Sequence, residues 1–202
     1  MMDPEEIVFL ERPEGISWEE ISAVLKKAHA ENVKNGIVLP YATLPASELY
    51  AKTEGRGGKM LVALHRGKVV GTGAVAIIEK NLWCGKGKYA YCFLDAVLPE
   101  FRGEGIFRQI AGIQEEYARS ARVDRMLFDT HEQNRRMIAI SEKNGYRKVD
   151  FKVRAGDGHP SVLLVKWLDG CPISYSKCRR KYAWIRLNRL IKSRVKYLIK
   201  QL

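Results

Sequence analysis

The chain has 202 residues, 46% of them hydrophobic, and a formal net charge of +12, which is material for one well-buried core, since a second full-sized domain would leave both marginal. Its four cysteines, Cys84, Cys92, Cys171 and Cys178, form no CxxC pair and have no close-spaced histidines, which argues against a disulfide framework and against a metal site. No apolar run reaches the roughly 18 residues of a bilayer span, the start MMDPEEIVFLERPEG is acidic, and a cytoplasmic location is expected.

The charge is uneven. Lys177 to Leu202 holds ten Lys or Arg and no acidic residue, so residues 1–176 carry 25 basic against 23 acidic groups. The body of the chain is nearly neutral and the end is strongly cationic. Two units follow: a domain over 1–168 and a basic tail over 169–202.

In chain order, ISWEEISAVLKKAHAENVKNG opens with Ser17 and Glu20 at capping-box spacing and places Ile21, Val24, Leu25 and Ala28 on one face, a helix ending near Gly36. LPASELYAKTEG supports a shorter helix between Pro45 and Gly55. KMLVALHRGKVVGTGAVAIIE predicts two strands turned at Arg66 and Gly67, and KYAYCFLDAVL a third after a Gly-rich connection. Beyond Gly103, Ile106, Ile110, Ile113 and Tyr117 recur at helical spacing; DRMLFDTH is a short strand; Asn134 to Asn144 is a helix closed by Gly145. YRKVDFKVR and PSVLLVKWL complete the domain as a hairpin turned at Ala155 to His159. This order implies an α/β fold, a mixed sheet covered by helices.

The stretch FLDAVLPEFRGEGIFRQI carries chemistry. A strand passes through a Pro-containing turn into Gly-rich backbone at the start of an amphipathic helix. Unpartnered N–H groups there sit at the positive end of the helix dipole and can serve a pyrophosphate together. Gly103 and Gly105 allow close approach, and Arg102 and Arg108 add charge; the plain alternative is an ordinary glycine turn. Gly71, Gly73 and Ala76 in VVGTGAVA have the spacing of a dinucleotide fingerprint, but VAIIEK continues as a strand where that fingerprint needs a helix, which makes them bulge or turn glycines.

Arg102-Gly103-Glu104-Gly105-Ile106-Phe107 resembles the coenzyme A signature of the GNAT acyltransferase superfamily: Arg or Gln, two residues, Gly, one residue, then Gly or Ala. Phe107 departs from it at the last position. LFDTHEQNRRMIAISEKNGYRKV is similar to the family's strand, Asn-led helix and Gly-aromatic ending, and the likeness spans roughly Met60 to Leu168. It implies a GNAT-like, mostly antiparallel mixed sheet. It also implies acetyl-coenzyme A as co-substrate without a metal, its phosphates on Arg102 to Arg108 and its pantetheine along Asp95, Ala96 and Val97, with Asn134 touching the cofactor or a water beside it. The acceptor pocket would form from the first helices, the segment around Tyr41 and the final hairpin.

For the chemistry, an attacking amine must lose a proton and a leaving thiolate must gain one. Strand alternation puts Leu127, Asp129 and His131 on one face. Family members that acetylate protein N-termini carry a carboxylate five residues before the motif asparagine, where Asp129 stands here; Asp129 is the leading base, ahead of His131 and of Asp95, expected beside Phe93 and Val97. A strand-end cap for the next helix is the plain role for Asp129. Where the family often places a tyrosine acid, seven residues after the asparagine, this chain has Ser141; Tyr91 or Tyr146 could reach in instead, although Tyr146 matches the family's aromatic core residue. The resemblance points to direct acetyl transfer to a primary amine of a small molecule, sugar or peptide, the alternative being a non-catalytic acyl-coenzyme A-binding module anchored through the tail.

In the tail, Trp184, Leu187, Ile191, Val195, Leu198 and Leu202 form a helical apolar stripe, and Arg186, Arg189, Lys192, Lys196 and Lys200 fall largely off it. A basic amphipathic helix suits the anionic inner face of a membrane. Packing on the domain or on a second subunit, as in a homodimer, is the alternative, and nucleic acid is disfavoured because no aromatic platform accompanies the charge.

Overall fold

The computed structural model describes residues 7–37, 39–153, 160–170 and 172–199. Its strands are β1 (Ile7–Glu11), β2 (Lys59–His65), β3 (Lys68–Leu82), β4 (Gly85–Val97), β5 (Arg125–His131), β6 (Arg147–Val153) and β7 (Pro160–Trp167), joined in one sheet of order β1-β2-β3-β4-β5-β7-β6. The helices are α1 (Trp18–Lys34), α2 (Ala46–Lys52), α3 (Ile106–Ser120), α4 (Arg135–Lys143) and α5 (Tyr175–Ile199). Every neighbouring pair is antiparallel except β4 and β5, which is the mixed, mostly antiparallel architecture expected.

α1 starts where the sequence places it: the Glu20 N–H donates to Ser17 Oγ at 3.1 Å, and Ile21, Val24, Leu25 and Ala28 are buried. The capping box stays half closed, because the Glu20 carboxylate accepts from the Val69 N–H of β3 at 3.3 Å. That bond ties α1 to the sheet instead of to its own cap. α1, with the short 40–42 turn after it, lies on one face of β3 and β4. α3 and α4 lie on the other, sharing a core with Val75, Cys92, Met126 and Phe128.

Gly71 and Gly73 let α3 lie directly on β3. A Cβ at Gly71 would stand 2.7 Å from Ile106 Cγ2, and one at Gly73 2.4 Å from Ile110 Cγ2. The register between β3 and β4 shifts between Thr72 and Ala74, where Gly73 faces a bulge of two residues, Leu94 and Asp95, in β4, and because β3 continues as a strand the dinucleotide reading ends there.

Two elements differ from expectation. β1 was not foreseen; it is a five-residue edge strand whose only signal is its long-range pairing with β2. The Gly-rich connection before β4 is the end of a long hairpin, paired as far as Leu82 and Gly85. Gly87 there passes beneath the Arg125 guanidinium, where a Cβ would come within 2.4 Å of Nη2. The expected turn at Ala155 to His159 lies outside the described residues. α5 begins at Tyr175 and packs on β6, with Tyr182 stacked on Phe151 at 4.8 Å between ring centroids.

Candidate active site

The site grows out of the parallel pair. β4 and β5 are in register only from Ala90 to Cys92 against Met126 to Phe128, although β4 runs on to Val97 and β5 to His131. Past Cys92 the strands diverge, and among the described residues no strand pairs with the backbone edge of Phe93 to Val97 that faces β5. Leu94, a buried residue with φ of 58°, bends β4 at this point; its carbonyl accepts from Thr72 Oγ1 at 2.7 Å. A non-glycine residue held in the left-handed region needs such support.

Beyond Val97 the chain makes a 99–101 turn and reaches α3 through Gly103 (φ 100°) and Gly105 (φ 76°). Gly105 is the N-cap of α3, no side chain caps the helix, and Cβ atoms at Gly103 and Gly105 would meet nothing within 4 Å. The N–H groups of Ile106, Phe107 and Arg108 therefore open a helix without a capping side chain and without an acidic residue in the first turn, an arrangement suited to a phosphate. Phe107 lines the cleft here without closing it. Glu104 is exposed and does not line the cleft.

Arg102 does something other than expected. Its guanidinium donates to the Ala28 carbonyl of α1 at 2.7 Å and to Val97 O at 3.3 Å, with Glu31 at 3.6 Å. It fastens α1 to the glycine turn, and both Arg102 and Arg108 line the cleft. Nearby His29 is pushed down to about 4 by burial and by the Arg102 charge, and so is neutral at physiological pH.

A cleft of about 780 Å³ joins these parts, lined by Tyr41, Phe93 to Val97, Arg102, Gly103, Gly105 to Arg108, Asp129, Thr130 and Asn134 among others. Asn134 caps α4, accepting from the Met137 N–H at 3.3 Å, and its Nδ2 donates to Thr130 Oγ1 at 3.2 Å. Asp129 lies at the cleft wall and accepts a short hydrogen bond from Tyr91 Oη, and Tyr41 Oη lies 3.2 Å from Tyr91 Oη. Burial, then the Asp129 charge, raises the Tyr91 phenol well above its usual value, so it stays protonated.

Of the other candidates, Asp95 also borders the cleft, whereas His131 and Ser141 do not line it. His131 shares a strand with Asp129 but is fully buried, accepts from the Gln133 N–H at 3.2 Å through Nδ1, and does not line the cleft. Asp95 is turned by the Leu94 bend from the Phe93 side to the α3 side, where Gln114 Nε2 donates to it at 2.8 Å. Burial pushes Asp95 up to about 7, the Gln114 bond acting against that rise. Ser141 is buried between α3 and α4 in a smaller cavity with Gln114, Glu115, Tyr146 and Lys166, which adjoins the cleft through shared Asp95 and Phe128. Tyr146 is a core residue against Phe128, as expected. Sequence reasoning placed the segment around Tyr41 in the acceptor pocket but gave its hydroxyl no partner, and it did not join Tyr91 to Asp129, because that contact depends on the parallel register of β4 with β5.

Among the described residues no cluster of His, Cys, Asp and Glu could hold a metal, and no helix is long and apolar enough to cross a membrane. Residues 21–146 match the family model described as the acetyltransferase (GNAT) family. No curated protein matches the chain in sequence. Among solved structures, an acetyltransferase from Streptococcus agalactiae superposes with a TM-score of 0.63 at 19% identity, over 81% of this chain and 99% of that one. A putative acetyltransferase from Salmonella typhimurium with its cofactor acetyl-CoA gives 0.60 at 15%, over 83% and 97%. A ribosomal-protein-alanine N-acetyltransferase from Brucella melitensis gives 0.58 at 19%, over 80% and 99%.

Proposed function

Because the chain belongs to the GNAT acetyltransferase family, we propose that it transfers an acetyl group from acetyl-coenzyme A directly to a primary amine, with Asp129 as the base. The observation that carries this reading is one continuous cleft with an uncapped glycine helix start at one end and a carboxylate at the other. The residues present fit the cofactor: the amides of Ile106 to Arg108 would take the pyrophosphate, and the unpaired edge of Phe93 to Val97 would hold the pantetheine as an added strand. When bound, the cofactor supplies the activated acetyl group. Asn134 and Thr130 shape the opposite wall.

Asp129 receives the ammonium proton of the acceptor, leaving the nitrogen lone pair for attack. Among the described residues no cysteine lines the cleft, which supports direct transfer over an acyl-cysteine route. The acceptor amine, of a small molecule, sugar or peptide, would enter past α1 and Tyr41. Incubating the protein with labelled acetyl-coenzyme A and a panel of a polyamine, an amino sugar and an alanyl peptide, with products read by mass spectrometry, tests this. Cofactor binding with no acetylated product from any of them would favour the non-catalytic module.

The same proposal places the protein at an anionic membrane surface, the inner leaflet for a cytoplasmic enzyme. α5 is held to the domain by buried Cys178 and by Tyr182 and Ile185, whereas Trp184, Leu187 and Ile191 on its other side are 57%, 57% and 50% exposed. The domain does not cover this part of the stripe; the side chains of Val195 and Leu198, and Leu202 altogether, lie outside the described residues. Exposed Lys177, Arg180 and Lys181 flank the stripe, and Lys181 sits over the Trp184 ring at 4.6 Å. A second copy would bring a like-charged helix against this one, which disfavours a homodimer through the tail. Anionic lipid answers both the charge and the stripe. Co-sedimentation with anionic vesicles should exceed that with neutral ones, fall with salt, and be lost in a chain ending at Ser176. Equal sedimentation of the full and shortened chains would remove this part of the proposal.

A further inference from the structure

Tyr91 reaches Asp129 by an arrangement the sequence does not announce. It pairs with Leu127 in the parallel register, and Asp129, two residues further along β5, lies on the same side as Leu127. The Tyr91 ring stacks on Phe93 with centroids 5.2 Å apart and planes 10° from parallel, and Phe93 in turn meets the Tyr41 ring at 6.1 Å. Stacking fixes where the phenol points. Since Tyr91 spends its one proton on Asp129, the contact with Tyr41 at 3.2 Å has Tyr41 as donor and Tyr91 as acceptor. A directed chain therefore runs from Tyr41 to Tyr91 to Asp129. Its outer end is on the 40–42 turn, next to a small apolar cluster of Ile37, Leu39 and Ala42.

We propose that Tyr91 is the positioning residue of the transfer: by donating to one oxygen of Asp129 it holds the carboxylate in a fixed attitude at the cleft wall, and Tyr41 couples that attitude to the acceptor-side turn. Tyr91 itself does not line the cleft, whereas Tyr41 and Asp129 do. A carboxylate on a short side chain, held by a half-buried donor, loses less freedom when the ammonium arrives than one free to rotate. The departure at Ser141 fits this arrangement, because hydrogen-bonding tyrosines at this site come from β4 and the 40–42 turn and not from α4.

This inference rests on Asp129 acting as the base, and the test separates the two. Turnover of acetyl-coenzyme A with the panel amine that reacts fastest is measured for Tyr91→Phe, Tyr41→Phe, Asp129→Asn and the Tyr91→Phe/Asp129→Asn double variant. Tyr91→Phe keeps the ring stack and should lower kcat by roughly ten- to a hundredfold, the scale of one hydrogen bond to a charged group, with KM for acetyl-coenzyme A unchanged. Tyr41→Phe should lower kcat less, by about threefold, one bond removed from the carboxylate. In the double variant the Tyr91 change should add nothing to the loss from Asp129→Asn, a non-additivity that a merely structural role would not give. An Asp129→Asn protein with full activity overturns the base and this inference together. An impaired Asp129→Asn beside an unimpaired Tyr91→Phe, or additive losses in the double variant, overturns this inference alone. Should Tyr91→Phe fail to fold, an unchanged kcat in folded Tyr41→Phe overturns the chain.

Discussion

Asp95 and Asp129 stand on adjacent strands of the same diverging pair and meet opposite surroundings. Asp95 leans on α3, half-buried, with Gln114 as its side-chain donor and a carboxyl pushed up to about 7. Asp129 faces the α1 side, half-buried at a wide cleft, with a phenol donating to it. Two like groups beside one splay thus have unlike surroundings: both border the cleft, but Asp95 is desolvated against α3 and bonded to an amide, whereas Asp129 is bonded to a phenol. Local sequence does not distinguish them, whereas the face each one occupies does.

The strongest way to break this contrast is to remove what makes the cleft a cofactor cleft. Gly105→Glu places bulk and a negative charge at a left-handed position where the helix start is open. Binding of acetyl-coenzyme A, measured by calorimetry, should fall at least about a hundredfold. Unchanged affinity in a folded variant would detach the cleft from the cofactor. Next in size, Asp129→Asn should reduce kcat by roughly a hundredfold or more, the scale of a lost general base, with cofactor affinity held. If Asp95→Asn were instead the damaging change, the two faces would have been assigned the wrong way round.

What was legible in the sequence is what local rules control. The strand, turn and helix from Phe93 to Ile110 are fixed by Pro99, Gly103 and Gly105 and by the isoleucine spacing of α3; α4 is fixed by its Asn134 cap and Gly145 beyond its end. The faces near the splay were not legible. A leucine with positive φ carries no signal, and Leu94 alone turns Asp95 from the side of Phe93 to that of Gln114. Alternation then gave the wrong face for Asp95 and the right one for Asp129, whose strand is regular. The motif at Arg102 suggested charge beside a phosphate, but nothing local announced its bond to the Ala28 carbonyl of α1, 74 residues away. Long-range partners of this kind, like the pairing of β1 with β2, exist only once the sheet has closed.

The smallest expected effect on turnover sharpens the contrast through pH. Asp95→Asn should change kcat by no more than about twofold, since the amide can keep a hydrogen bond with Gln114 and Asp95 holds no proton the transfer needs. Stability should reveal the carboxyl. Asp95 ionises near 3.8 when exposed and near 7 when folded, so the folded protein keeps a proton that the unfolded chain gives up. The contribution of that retained proton is fully present below about pH 4 and is lost as pH rises through about 7. A shift of this size caps the loss at roughly 4 kcal/mol, and relaxation around the carboxylate reduces it. The asparagine variant has no such loss. Urea unfolding at pH 4.5, 6, 7 and 8 should therefore show the variant gaining on the natural protein across the first three points and its lead levelling off above them. A constant difference across the series would mean that Asp95 ionises as an exposed carboxylate does, and that the α3 face is as open to water as the cleft that holds Asp129.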